Sequence, residues 1–179
     1  PVSFELYVKK ILEAHGYRCV WNKLIKGLNV EHQVDVIANK EKSYLVECKH
    51  HRNHHRYLGL GVALQVQARL EDILDNGEEC EAWLVTNTKF SEHAKVYSSK
   101  KGITTTGWRY RDDLALDVLI HGSKMYPVTL LDTTVDVRRK LLSNNLITIN
   151  DFSDIDKNLI TSIGQKDFDN LERQLQELQ

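Results

Sequence analysis

Residues 33–38 and 44–49 form two runs of mixed apolar and charged residues joined by the polar turn Asn39-Lys40-Glu41-Lys42. Strand-forming residues on both sides of such a turn constrain this stretch to a β-hairpin. Alternation along a strand places Asp35 and Ile37 on one face of the first run, and Leu45, Glu47 and Lys49 on one face of the second. If the hairpin folds about residue 41, Asp35 stands opposite Glu47, with Cβ atoms about 5 Å apart. Val34, Val36, Ile37, Leu45 and Val46 make both strands largely apolar, so charges at their ends need partners. Two carboxylates that close repel unless a proton or a cation lies between them. Hard oxygen ligands on adjacent strands, with the Cys48 carbonyl beside them, suit Mg²⁺. Lys49 shares the face of Glu47 and can orient or activate a water, which points to metal-assisted attack on a phosphodiester. The plainer alternative is a hairpin whose solvent face happens to carry Asp, Glu and Lys.

The rest of the chain reads as alternating helix and strand. Phe4, Val8, Ile11 and Leu12 recur at helical spacing, with Ser3 as a cap and Gly16 as a stop. Residues 17–24 read as a strand, followed by a turn at Gly27. A loop rich in His and Gly leads to a helix over 62–74, closed by Asn76-Gly77. Residues 82–86 and 103–108 read as strands. Residues 90–99, with Ser91 near the start, and 112–120 read as helices. The predicted class is α/β, a mixed central sheet flanked by helices. After Pro127 the pattern changes to short helices at 137–142, 149–152, 159–163 and 168–178. The chain therefore divides into a domain over 1–134 and a small all-helical appendage over 135–179.

Composition narrows the function classes. No apolar stretch among the 179 residues approaches the ~20 needed for a membrane span, and no signal-peptide pattern is present. A soluble, cytoplasmic protein is expected. The first residue is proline, which suggests processing or truncation and an upstream domain. Cys19, Cys48 and Cys80 are an odd number without a CxxC pair, which argues against a disulfide framework or cysteine-rich zinc site. The net charge of −1 hides an asymmetry: residues 1–149 carry 21 Lys and Arg against 18 Asp and Glu, whereas residues 150–179 carry 3 against 7. From Lys49 to Arg69 there is no acidic residue, but there are Arg52, Arg56 and four histidines. That stretch suits a polyanion, or is a solvated basic loop.

Asp35…Glu47-Cys48-Lys49 resembles the PD-(D/E)xK nuclease motif, with Val34 where the motif has proline. The subgroup it is most similar to is the Mrr-like restriction endonucleases. Glu5 follows Phe4 in the first helix, where that family carries an acid, and Gly16-Tyr17 matches its "GY" entry into the first strand. Leu84-Val85-Thr86-Asn87-Thr88-Lys89-Phe90-Ser91, then Ala94, resembles its "VTN…F(S/T)…A" junction. Gly102-Ile103 and Gly107-Trp108 resemble the "GI…GW" that follows. The resemblance covers about residues 3–131 and implies a restriction-endonuclease-like fold. It implies that Asp35 and Glu47 bind the metal, that Lys49 completes the site, and that Glu5 assists through a water or second metal. The family often has a glutamine on the helix after the lysine strand. Gln65 and Gln67 are both candidates, and Gln67, one step from Val66 and three from Leu70, is preferred.

The expected function is a Mg²⁺-dependent endodeoxyribonuclease of restriction or defence type, with Mn²⁺ as a substitute. Its expected partner is DNA, double-stranded, cut by a homodimer or higher oligomer. Rival readings are a catalytically silent nucleic-acid-binding or regulatory module, a repair or junction-resolving nuclease on the same core, and an interaction scaffold. His50, His51, His54 and His55 could bind zinc, but no second ligand pair is evident outside the stretch, and lining the nucleic-acid path is preferred. Mrr-like nucleases whose loop starts "ECK…H" are often joined to an upstream ATP-cone domain, absent from this chain. The appendage resembles helix-hairpin-helix or SAM-like repeats. Its negative charge opposes phosphate binding and favours packing or dimerisation.

Overall fold

The structure is a computed structural model that describes residues 2–110 and 113–177. They divide into two compact units, 1–123 and 124–179. In the first unit, α1 (Val2–Ala14) leads into the long hairpin β1 (Arg18–Lys26) and β2 (Glu31–Asn39), then β3 (Ser43–Lys49). A short strand β4 (Tyr57–Leu58) precedes α2 (Leu60–Asp75) and β5 (Glu81–Thr86). They are followed by β6 (Lys89–Phe90), α3 (Glu92–Lys101), β7 (Thr104–Thr106) and α4 (Leu116–Ser123). The main sheet runs β1-β2-β3-β5-β7: antiparallel from β1 to β3, parallel from β3 to β7. This is the mixed α/β sheet expected from sequence.

Helices cover both faces. Ala63, Val66, Leu70 and Ile73 of α2 pack with Leu45, Ala82 and Leu84, and Ala94 of α3 joins the same cluster. On the other face Val8, Ile11 and Leu12 of α1 meet Trp83, Val85, Leu116 and Leu119. Alternation along β5 thus sends Ala82 and Leu84 to one layer and Trp83 and Val85 to the other. Trp83 stands edge-on to Tyr17 and Tyr44 and donates its indole N–H to Thr106 Oγ1 at 2.9 Å.

Several boundaries differ from the sequence reading. Ser3 lies inside α1 and is not its cap. Ser91 does cap α3, accepting the Ala94 N–H at 3.3 Å. The predicted start of a helix at 112 and the end of another at 178 lie outside the described residues. The parallel pair β4–β6, two residues per strand, was not read from sequence. Phe90 of β6 is fully buried, and a Cβ on Gly107 would stand 2.9 Å from its ring and from the Thr88 carbonyl, so only glycine fits there.

The second unit contains a 3₁₀ turn at Val128–Leu130, then α5 (Val135–Ser143), a second 3₁₀ segment at Ile149–Asp154, α6 (Lys157–Ile163) and α7 (Gln165–Glu177). Val128 and Leu131 are buried in its core with Val137, Leu141, Leu159, Ile163 and Leu171. Residues 124–134, counted with the first domain on sequence alone, therefore pack with the helices. Among the described residues no helix is long and apolar enough to cross a membrane.

Candidate active site

The β2–β3 ladder pairs Asn39 with Ser43 and ends at Val36 with Val46. The hairpin thus folds about residue 41, and Asp35 and Glu47 are the residues next outward from the last pair. Strand alternation breaks at this point. Val34 and Ile37, three residues apart, both pack against the α2-side cluster, which a regular strand does not allow. The β1–β2 ladder likewise skips Asn22 and Asp35, and Asn22 has φ of 52°. The expectation that Asp35 follows simple alternation with Ile37 is corrected by this kink. Freed from the ladder, the Asp35 carboxylate turns to β3 and accepts the Cys48 N–H at 2.8 Å.

Burial drives the Asp35 carboxyl up to about 6. The Cys48 N–H opposes that rise, the Glu47 and Glu5 charges add to it, and Lys49 opposes it. Asp35 therefore feels Glu5, Glu47 and Lys49 together, so the structure brings these four residues into one electrostatic neighbourhood. Burial likewise raises the Cys48 thiol well above its ordinary value, with Asp35, Glu5 and Glu47 adding to the rise. Only the Cys48 carbonyl suits the hard-ligand role foreseen for that residue.

Glu47 is buried, 8% exposed, and its two oxygens have different partners. Lys49 Nζ lies 2.5 Å from Oε1. The Arg69 guanidinium, reaching down from α2, pairs with Oε2. Glu5 Oε2 accepts the Trp21 indole N–H at 3.0 Å, which ties α1 to β1 beside the site. Among the described residues no three His, Cys, Asp or Glu side chains stand together as a ready-made metal cage.

Gln67 is not brought to these carboxylates. Its amide donates to Glu71 Oε1 at 2.9 Å, Glu71 in turn faces Lys101 of α3, and Gln67 Oε1 is buried without a partner. Gln65 is exposed and lies one helical turn before Arg69, on the stripe that overlooks Glu47. Arg69 itself was missed as a site residue. Its signal was present, because it lies three residues after Val66 and four before Ile73, on the sheet-facing side of α2. An arginine on a buried stripe needs an acid beneath it.

The junction after β5 holds the end of β3 in place. Thr86 Oγ1 donates to the Lys49 carbonyl at 2.8 Å. Asn87 clamps His51 from both sides, accepting its N–H at 2.8 Å and donating to its carbonyl at 2.9 Å. The histidine loop is thus pinned at His51, and His50 packs against the Phe4 ring at 5.3 Å. Burial lowers the pKa of His50, and His54, His51 and Arg52 lower it further. Arg52, His54, His55 and Arg56 are exposed at the loop's outer edge.

An uncharacterized protein of Archaeoglobus fulgidus is 35% identical over 156 residues, covering 87% of this chain and 88% of the relative. A crystal structure of a protein of unknown function superposes with a TM-score of 0.82 at 31% identity, covering 99% of this chain and 98% of that one. The restriction endonuclease family described by its Mrr catalytic domain matches residues 1–107, the segment that holds α1, the kinked hairpin, the lysine strand and the Thr86-Asn87 junction. With that match spanning more than half of its length, the chain belongs to the Mrr-type restriction endonuclease family.

Proposed function

We propose that this chain is a Mg²⁺-dependent endodeoxyribonuclease that hydrolyses DNA phosphodiester bonds, with Mn²⁺ as a substitute metal. The observation that carries the reading is the meeting of Asp35 and Glu47 at the open end of the β2–β3 ladder, with Lys49 on the Glu47 carboxylate. Asp35, half-buried and close to two other carboxylates, is short of positive charge, and a divalent cation supplies it. The donor set fits Mg²⁺, which needs only one or two carboxylates and completes its shell with waters and substrate phosphate. Asp35, Glu47 and the Cys48 carbonyl would hold it. Bound there, the ion polarises a phosphoryl oxygen as a Lewis acid.

The chain's own groups do the rest. Lys49 Nζ, on the exposed side of Glu47, holds the attacking water by hydrogen bonding and steadies negative charge on the phosphate. Glu5, fixed by Trp21, adds negative charge at the rim and a point of attachment for a bridging water. Arg52 and Arg56, both exposed, would meet the sugar-phosphate backbone. Cutting both strands of a duplex takes two such sites, so the active form is a homodimer or larger assembly.

Nicking of plasmid and linear duplex DNA with Mg²⁺, Mn²⁺ or EDTA, run beside Lys49→Ala, tests the reading. Metal-dependent cutting that disappears in the variant is expected. Salt-sensitive DNA binding without cutting or metal uptake would replace it with a silent binding module.

A further inference from the structure

The two oxygens of Glu47 divide the site. Lys49 takes Oε1, and Arg69, anchored on α2, takes Oε2. Lys49 is on the strand that faces Asp35, whereas Arg69 approaches from the helix layer, between Val66 and Leu70, which pack on the sheet. We propose that Arg69 is the positioning residue of the site: it clamps the helix-side oxygen of Glu47 so that Oε1 is the oxygen presented to Lys49, Asp35 and the metal. This rests on the nuclease reading and adds to it a residue outside the Asp…Glu-x-Lys pattern.

The physical reasons are burial and geometry. A carboxylate exposed by only 8% must keep a partner when charged, and Lys49 leaves it when it turns to water or phosphate. Arg69 remains, because its side chain is 29% exposed against 38% for Lys49 and its helix is fixed to the core. Arg69 meets Oε2 through one guanidinium nitrogen, a directed contact from a side chain rooted in α2. Held at Oε2, Glu47 would offer its other oxygen, Oε1, to an ion beside Asp35. Partners of this kind, hydrogen-bonded to a ligating group, typically govern metal affinity by 10–100-fold.

The test uses the full chain and Mn²⁺ as the probe, by calorimetry without DNA and by metal-dependent cleavage. Arg69→Ala is expected to weaken Mn²⁺ binding about tenfold or more and to raise the metal concentration for half-maximal cleavage by the same factor, with partial rescue by Arg69→Lys. Denaturant midpoints give a metal-free reading: Arg69→Ala should lower the midpoint in the Glu47 chain but not in Glu47→Gln, where no buried charge is left behind. Equal or tighter Mn²⁺ binding by Arg69→Ala, or the same midpoint shift in both backgrounds, overturns the positioning role alone. A wild-type chain that takes up no Mn²⁺ overturns the nuclease reading and this inference with it.

Discussion

Asp35→Asn should make the metal-free protein more stable at neutral pH while removing the proposed cleavage activity. The Asp35 carboxyl is raised from 3.8 to about 6, with burial as the leading cause. The folded chain therefore keeps this proton to higher pH than the unfolded chain does. The Asp35 contribution to stability is full below about pH 4 and is lost as pH rises through 6. At about 1.4 kcal/mol per unit, the shift corresponds to about 3 kcal/mol. Asp35 is only half-buried, so screening by solvent reduces this to about 1–2 kcal/mol. Asparagine has nearly the same shape, still accepts the Cys48 N–H and carries no charge to desolvate. Urea denaturation in EDTA, at pH 4 and pH 8, reads the difference. Little change is expected at pH 4 and a gain of about 1–2 kcal/mol at pH 8, at constant denaturant slope. Adding Mg²⁺ should then stabilise the wild type and not the variant, because only a folded state that binds the ion gains from it. A pH-independent effect, or a loss of stability at pH 8, would refute the claim that the native fold strains this carboxylate.

Two further substitutions probe the frame around the site. Gly27→Ala would place a Cβ 2.0 Å from Asp72 Oδ2, where Asp72 fastens the β1–β2 hairpin through Asn29, Val30 and His32. A loss of about 1–3 kcal/mol in chemical denaturation is expected, and an unchanged midpoint would show that the hairpin tip is not held there. Asn87→Ala removes both hydrogen bonds to His51, worth about 1 kcal/mol each, so amide exchange across residues 50–56 should quicken while β3 stays protected. Unaltered exchange would place the loop's anchor elsewhere.

The strands of the candidate site were legible because their information is local. Asp35, Glu47 and Lys49 lie within one hairpin, whose turn and apolar runs set the register before any long-range contact is known. The direction of the Asp35 side chain was not legible. It depends on a one-residue change of phase opposite Asn22, and binary patterning carries no mark of such a kink. Arg69 and Gln67 were misjudged for a different reason. Which face of α2 lies over β3 is a packing outcome, and two glutamines two residues apart look equivalent until the helix is docked. Motif matching singled out Thr86 and Asn87 without giving them a task, since their bonds to Lys49 and His51 cross about 36 residues of chain. The extent of the helical unit was obscured because Val128 and Leu131 are apolar residues in a loop-like stretch, which fit either core by sequence.

The bond between Trp21 and Glu5 gives the protein an optical gauge of its own site. Trp83 is sealed in the core with Thr106, and Trp108 is 41% exposed. Trp21 alone of the three shares its indole proton with a carboxylate of the acidic neighbourhood. An ion or phosphate bound beside Glu5 would alter the field across that ring. Emission from Trp21 would then follow occupancy without an attached dye, and a chain carrying phenylalanine at the other two positions would isolate the signal.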